Sequence, residues 1–162
     1  MSQYGLHMAA ISAVFTAVVA ALYIFVHRRN LASAIDRVRK ERPSAAIFAA
    51  ALGVDFAPYI SLHARYSGDY PAVFSYRPGA IEVWQVDGFR LLAEYETDTL
   101  IDVSVGPVRR FNEQFGDGVV CVFADGEELR IRLRRGAFRN LGTPELEDVV
   151  RDLRLVGELP SD

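Results

Sequence analysis

Apolar and polar positions divide the chain into three unlike stretches. From Met8 to Val26 it reads MAAISAVFTAVVAALYIFV, with no charged residue and only Ser12, Thr16 and Tyr23 bearing hydrogen-bonding side chains. A helix of this length, at about 1.5 Å per residue, spans roughly 28 Å and matches the hydrocarbon thickness of a bilayer. Tyr4 and Tyr23 stand near its two ends, where interfacial aromatic rings are common. His27, Arg28 and Arg29 follow at once, and Arg37, Arg39, Lys40 and Arg42 come soon after. A cleaved signal peptide carries its positive charge before a shorter apolar core. Here the cations come afterwards, which predicts a retained anchor with the N-terminus outside and the following domain in the cytoplasm.

From His27 to Arg42 the pattern continues as a basic helix, with Leu31, Ile35 and Val38 along one stripe. Its cations would either rest against anionic headgroups or make a solvated stalk. Pro43 ends this helix, because proline disfavours helical geometry in the residue before it. Ser44 to Leu52, SAAIFAAAL, is too short to span and reads as a core or interfacial helix ending near Gly53. The domain plan is therefore residues 1–27 as a short tail and transmembrane helix, 28–53 as a juxtamembrane helix and linker, and 54–162 as a soluble β domain.

Strand patterns dominate the third stretch. Edge strands are expected around Tyr59–Tyr66 and Ala72–Tyr76. Ile81 to Val86 runs into Asp87-Gly88, a two-residue hairpin signal, and Phe89 to Tyr95 returns. Leu100 to Val105 forms another strand, halted by Gly106-Pro107. Gly116-Asp117-Gly118 reads as a turn between strands. Val119 to Ala124 leads into a tight turn at Asp125-Gly126, after which Leu129, Ile131 and Leu133 alternate with Arg130, Arg132 and Arg134. Thr143 as N-cap, Pro144 at the first helical position and Glu145 and Glu147 in the first turn open a final helix. Its Leu146, Val149, Val150 and Leu153 make one apolar face.

Antiparallel strands joined by hairpins and closed by a C-terminal amphipathic helix resemble the pleckstrin-homology-like superfold. The order of elements from Gly79 to Val156, with LIDVSVGPVRRF before a glycine turn and the terminal helix, is similar to bacterial PH and GRAM-like domains. The resemblance implies an α+β chain: an N-terminal transmembrane helix, then a small antiparallel PH-like domain with a C-terminal capping helix. In whole architecture the chain also resembles small single-pass actinobacterial proteins that accompany membrane assemblies, among them the accessory factors of the cytochrome bcc–aa3 respiratory supercomplex.

Charge and composition narrow the functional classes. Net charge is −3, all 21 acidic residues lie at or beyond Asp36, and Lys40 is the only lysine. An acidic soluble part disfavours nucleic acid as a partner, while the bias to Arg, Ala and Val suits a high-GC genome such as an actinobacterial one. His7 and His27 flank the span, leaving His63 in the soluble part, and Cys121 is the only cysteine. One histidine and one cysteine make no usual zinc site, and neither is marked as a nucleophile or base. No GxxxxGK[ST] or GxGxxG occurs, and Glu94, Glu96, Asp98 and Asp102 read as exposed strand and turn positions. The expectation is a chain without catalytic residues, metal, cofactor or small-molecule substrate.

Binding is the alternative to chemistry. Arg130, Arg132 and Arg134 share one strand face, extended by Arg135 and Arg139, with Arg109 and Arg110 placed to join them. Guanidinium groups grip phosphate or carboxylate in a two-pronged way, which would suit an acidic partner or lipid headgroups. The plainer alternative is a solvated face balanced by Glu82, Glu127 and Glu128. Ala9, Ala13, Ala17 and Ala20 recur at helical spacing in the span, where small side chains let a neighbouring helix approach. The expected partners are a larger integral membrane complex and membrane lipids.

Overall fold

The computed structural model describes residues 3–53, 70–110 and 113–159. One helix, α1, runs without interruption from Gln3 to Glu41, about 58 Å at about 1.5 Å per residue. Among the described residues, eight antiparallel strands and a further helix follow: β1 (Ala46–Leu52), β2 (Tyr70–Arg77), β3 (Ala80–Gln85), β4 (Arg90–Tyr95), β5 (Leu100–Arg110), β6 (Glu113–Phe123), β7 (Glu128–Arg135), β8 (Arg139–Asn140) and α2 (Thr143–Val156). The strand order is β4-β3-β2-β1-β7-β6-β5, with β8 paired to β7. This is the α+β class that the sequence implies: a long apolar N-terminal helix, an antiparallel sheet and a C-terminal helix.

The segment Ala46–Leu52 overturns the expectation of a second helix. It lies at the centre of the sheet, in register with β2 along its whole length and with β7 from Ala49 to Leu52. Alanine's preference for helix is worth a fraction of a kcal/mol per residue and yields to two ladders of backbone hydrogen bonds. The alternation of a strand then sends Ala50 into the main core and Ala49 to the face beneath α1. Small side chains are what allow a helix to lie across the sheet there.

Other local expectations shift for identifiable reasons. Ala72–Tyr76 is a strand, but an interior one between β1 and β3 rather than an edge. Tyr59–Tyr66 lies outside the described residues. Gln85 pairs with Arg90, so the β3–β4 connection is a four-residue loop, with positive φ at Gly88 and Phe89 instead of the Asp87-Gly88 pair. Phe123 exchanges backbone hydrogen bonds across the β6–β7 turn with Gly126 and Glu127, leaving Ala124-Asp125-Gly126 as a three-residue loop with Gly126 at φ 85°.

Gly106-Pro107 does not halt a strand. It lies within β5, an edge strand, the position in a sheet where proline is tolerated. Gly116-Asp117-Gly118 likewise is no turn but part of β6, facing Val108, Pro107 and Gly106. Gly118 permits a close approach: a Cβ there would stand 2.3 Å from the Ile131 carbonyl oxygen and 2.6 Å from a methyl of Val108. Gly53, just past β1, is crowded by Val108 and the Arg109 carbonyl. The sheet therefore curls until the end of β5 meets the end of β1.

Its inner face makes the main core, in which Phe74, Ile81, Phe123, Leu129, Ile131 and Leu133 meet Leu146, Val149 and Leu153 of α2. Packing of α2 against β5 and β6 covers that core. The helix starts one residue earlier than its composition implies: Gly142, not Thr143, is the N-cap. Glu145 reaches back to accept from the Gly142 N–H at 2.9 Å, which satisfies a backbone donor left over at the helix start.

Candidate functional site

The outer face of the sheet carries α1, and the junction between them organises the molecule. Leu31, Ala34 and Val38 are buried against Ala49, Val73, Trp84 and Val86, with Ile35 packed beside them. The basic segment of α1 is thus a docked helix and not a solvated stalk. Upstream the same helix is bare. Its large apolar side chains from Met8 to Val26 are 41% to 69% exposed. One helix in the described residues is long and apolar enough to cross a membrane. Thr16 returns its hydroxyl to the Ser12 carbonyl at 2.8 Å, so this polar side chain is satisfied within the helix. Ala13, Ala17 and Ala20 are exposed along it, and the side chain of Ala9 lies outside the described residues.

A buried polar cluster fastens the far end of the junction. Glu82 on β3 is 1% exposed and accepts from Arg42 Nε at 2.7 Å and from Ser75 Oγ at 3.1 Å. Trp84 Nε1 donates to Ser75 Oγ at 3.1 Å, and the Arg42 guanidinium lies 5.5 Å from the centre of the Trp84 ring. Arg77 stands 3.8 Å from the same carboxylate. The hydrogen bond that Arg42 donates to the Glu82 carboxylate holds the Arg42 pKa above its ordinary value. Sequence reading missed this cluster because Glu82 sits among Ile81, Val83 and Trp84 with no local sign of its partner 40 residues away.

The arginines singled out by sequence are not one surface. Arg130, Arg132 and Arg134 do share the outer face of β7, but each is only partly exposed. Arg130 donates to Glu128 at 2.7 and 2.9 Å and to the Pro107 carbonyl at 3.2 Å. The Arg132 guanidinium lies over Gly116, where a Cβ would stand 2.8 Å from its Nη2. Arg134 donates to the Ala137 carbonyl at 3.4 Å and pairs in register with Ala49, beside the α1 junction. Arg135 forms an ion pair with Glu145 at the start of α2. Arg109 is exposed on β5, and the side chain of Arg110 lies outside the described residues. Of the three proposed counter-charges, Glu128 does balance the stripe, whereas Glu82 serves the Arg42 cluster.

Catalytic candidates gain little from the fold. Cys121 is buried in the main core, and burial pushes its thiol up to about 12, which leaves no thiolate for nucleophilic attack at neutral pH. His63 lies outside the described residues. Glu94, Glu96, Asp98 and Asp102 are exposed. Among the described residues no group of three or more His, Cys, Asp or Glu side chains is placed to hold a metal ion. No family model, curated protein or solved structure matches this chain.

Proposed function

We propose that this chain is a non-catalytic, single-pass membrane protein that holds a PH-like domain against the cytoplasmic face of the inner membrane, as an accessory subunit of a larger membrane complex. The observation that carries this reading is the division of α1. Its first half presents an uncovered apolar surface all round, while its second half is buried in the sheet without a break between them. Such a bare surface is stable only against lipid or other membrane helices. The cations from His27 to Arg42 favour the cytoplasmic side for the sheet. Because the docked half is clamped by Glu82 and Arg42, the domain sits beside the bilayer in a fixed pose suited to contacting a neighbouring subunit.

The PH-like part of the reading is supported by the antiparallel hairpin order and by α2 covering the main core. The cytochrome bcc–aa3 supercomplex, whose accessory factors the chain resembles in architecture, supplies the first candidate partners. Affinity purification of the full chain from native membranes in mild detergent, followed by mass spectrometry, tests the proposal. Recovery of a defined set of integral membrane subunits in fixed ratio supports an accessory subunit. Recovery of the chain alone overturns it.

A further inference from the structure

Two hairpin loops flank the docked half of α1. The β3–β4 loop brings Phe89 beneath Arg37, with the guanidinium 5.3 Å from the ring centre. On the other side, the β7–β8 turn brings Phe138 to His27, 5.7 Å between ring centres, and to Arg28, whose guanidinium lies 5.4 Å from the ring centre. Between that turn and α1 opens a cleft of about 420 Å³. Its rim carries Arg28, Arg135 and Arg139, and its walls include Leu31, Ile35 and Phe138. No acidic side chain lines it; Arg135 also forms an ion pair with Glu145 at the start of α2.

We infer that this cleft binds the phosphate headgroup of an anionic phospholipid, an inference that rests on the membrane-anchored reading above. Three features select this occupant. Arg28 lies two residues past Val26, about 3 Å further along the helix axis, so the rim stands at the depth of lipid phosphates. The lining combines guanidinium groups with apolar walls, as an amphipathic ligand requires. Phe138 is 48% exposed at the tip of a turn, the placement of an aromatic ring at a membrane interface. The ion pair with Glu145 positions the Arg135 guanidinium, and a phosphate engages its remaining N–H donors. Arg28 and Phe138 thus join two arginines of the sequence-predicted set, while Arg130, Arg132 and Arg134 do not line the cleft.

The test uses the full chain in detergent micelles, titrated with phosphatidylglycerol or phosphatidylcholine and read by native mass spectrometry. The wild type should retain phosphatidylglycerol in preference to phosphatidylcholine. Combining Arg28→Gln, Arg135→Gln and Arg139→Gln should weaken phosphatidylglycerol retention about 100-fold, at about fivefold per arginine. Phe138→Ala should weaken it with no change of charge. Combining Arg90→Gln and Arg151→Gln removes exposed charge elsewhere on the domain and should leave retention unchanged. Thermal unfolding of each variant establishes that it is folded. Inorganic phosphate at millimolar concentration should not displace the lipid; if it does, the site is for free phosphate and the inference falls. Equal retention of both lipids, or equal loss in the control variant, also overturns it. Alkaline carbonate extraction separates the two levels. Release of the wild type from membranes defeats the anchored reading and the cleft with it, whereas retention without lipid preference defeats the cleft alone.

Discussion

Val18 and Val38 belong to the same unbroken helix, yet Val18 is 51% exposed and Val38 is 0% exposed. In the first half, apolar residues cover every face, and among the described residues nothing buries them. In the second, charged and polar residues occupy most of the exposed surface, and the buried Leu31–Val38 stripe is matched to a strip of small and aromatic residues on the sheet. The first pattern calls for a surrounding solvent without polarity, the second for a single solid partner. Helix propensity treats the halves alike, and their difference lies wholly in what each half is dissolved in.

That comparison is most directly broken by placing the same charge in both halves. Val38→Asp buries a carboxylate against Trp84 and Ala49 and should destabilise the sheet domain by roughly 4–5 kcal/mol, read by thermal unfolding in micelles, with membrane retention unchanged. Val18→Asp should do the opposite. It weakens insertion by roughly 2.5–3.5 kcal/mol, read by carbonate extraction, and leaves the unfolding transition of the sheet where it was.

The clamp offers the next effect in size. Glu82→Ala leaves the partly buried Arg42 without its carboxylate and strands the hydroxyl of Ser75; a loss of about 3 kcal/mol is expected in chemical denaturation. Ala49→Leu should cost roughly 1–3 kcal/mol through overpacking beneath α1, whereas Ala17→Leu in the bare half should leave the unfolding transition unchanged.

The smallest effects concern ionisable groups away from the junction. Cys121 should resist alkylation at pH 8 in the folded chain and react on denaturation. Its thiol rises from 9.0 to about 12 on folding, so the unfolded thiol ionises first and stability declines as pH climbs through that window. Arg130→Gln, at a partly exposed ion pair with Glu128, should change stability by less than about 1 kcal/mol.

Much of this arrangement is legible along the chain because its causes are local. An uninterrupted apolar run needs no fold to make it unwelcome in water, and Pro43 stops a helix whatever surrounds it. Strict alternation at Leu129, Ile131 and Leu133 fixes both strand and face, since the strand period is two. The apolar face of α2 is equally plain at its own period, with Leu146, Val149 and Leu153 all buried.

What the sequence by itself determined is therefore the identity of most elements and the solvent each face requires. Tertiary structure alone decided the rest. Ala46–Leu52 became a strand because two neighbours completed its hydrogen bonds, an influence no window of seven residues contains. Gly106-Pro107 stayed within a strand because β5 is an edge, a fact of sheet order. Glu82 found Arg42, and Arg28 found Phe138 and the rim of the β7–β8 turn, across long separations in sequence. Periodicity records how each element meets its surroundings, but electrostatic pairing depends on which elements become neighbours, and only the folded chain supplies that distance.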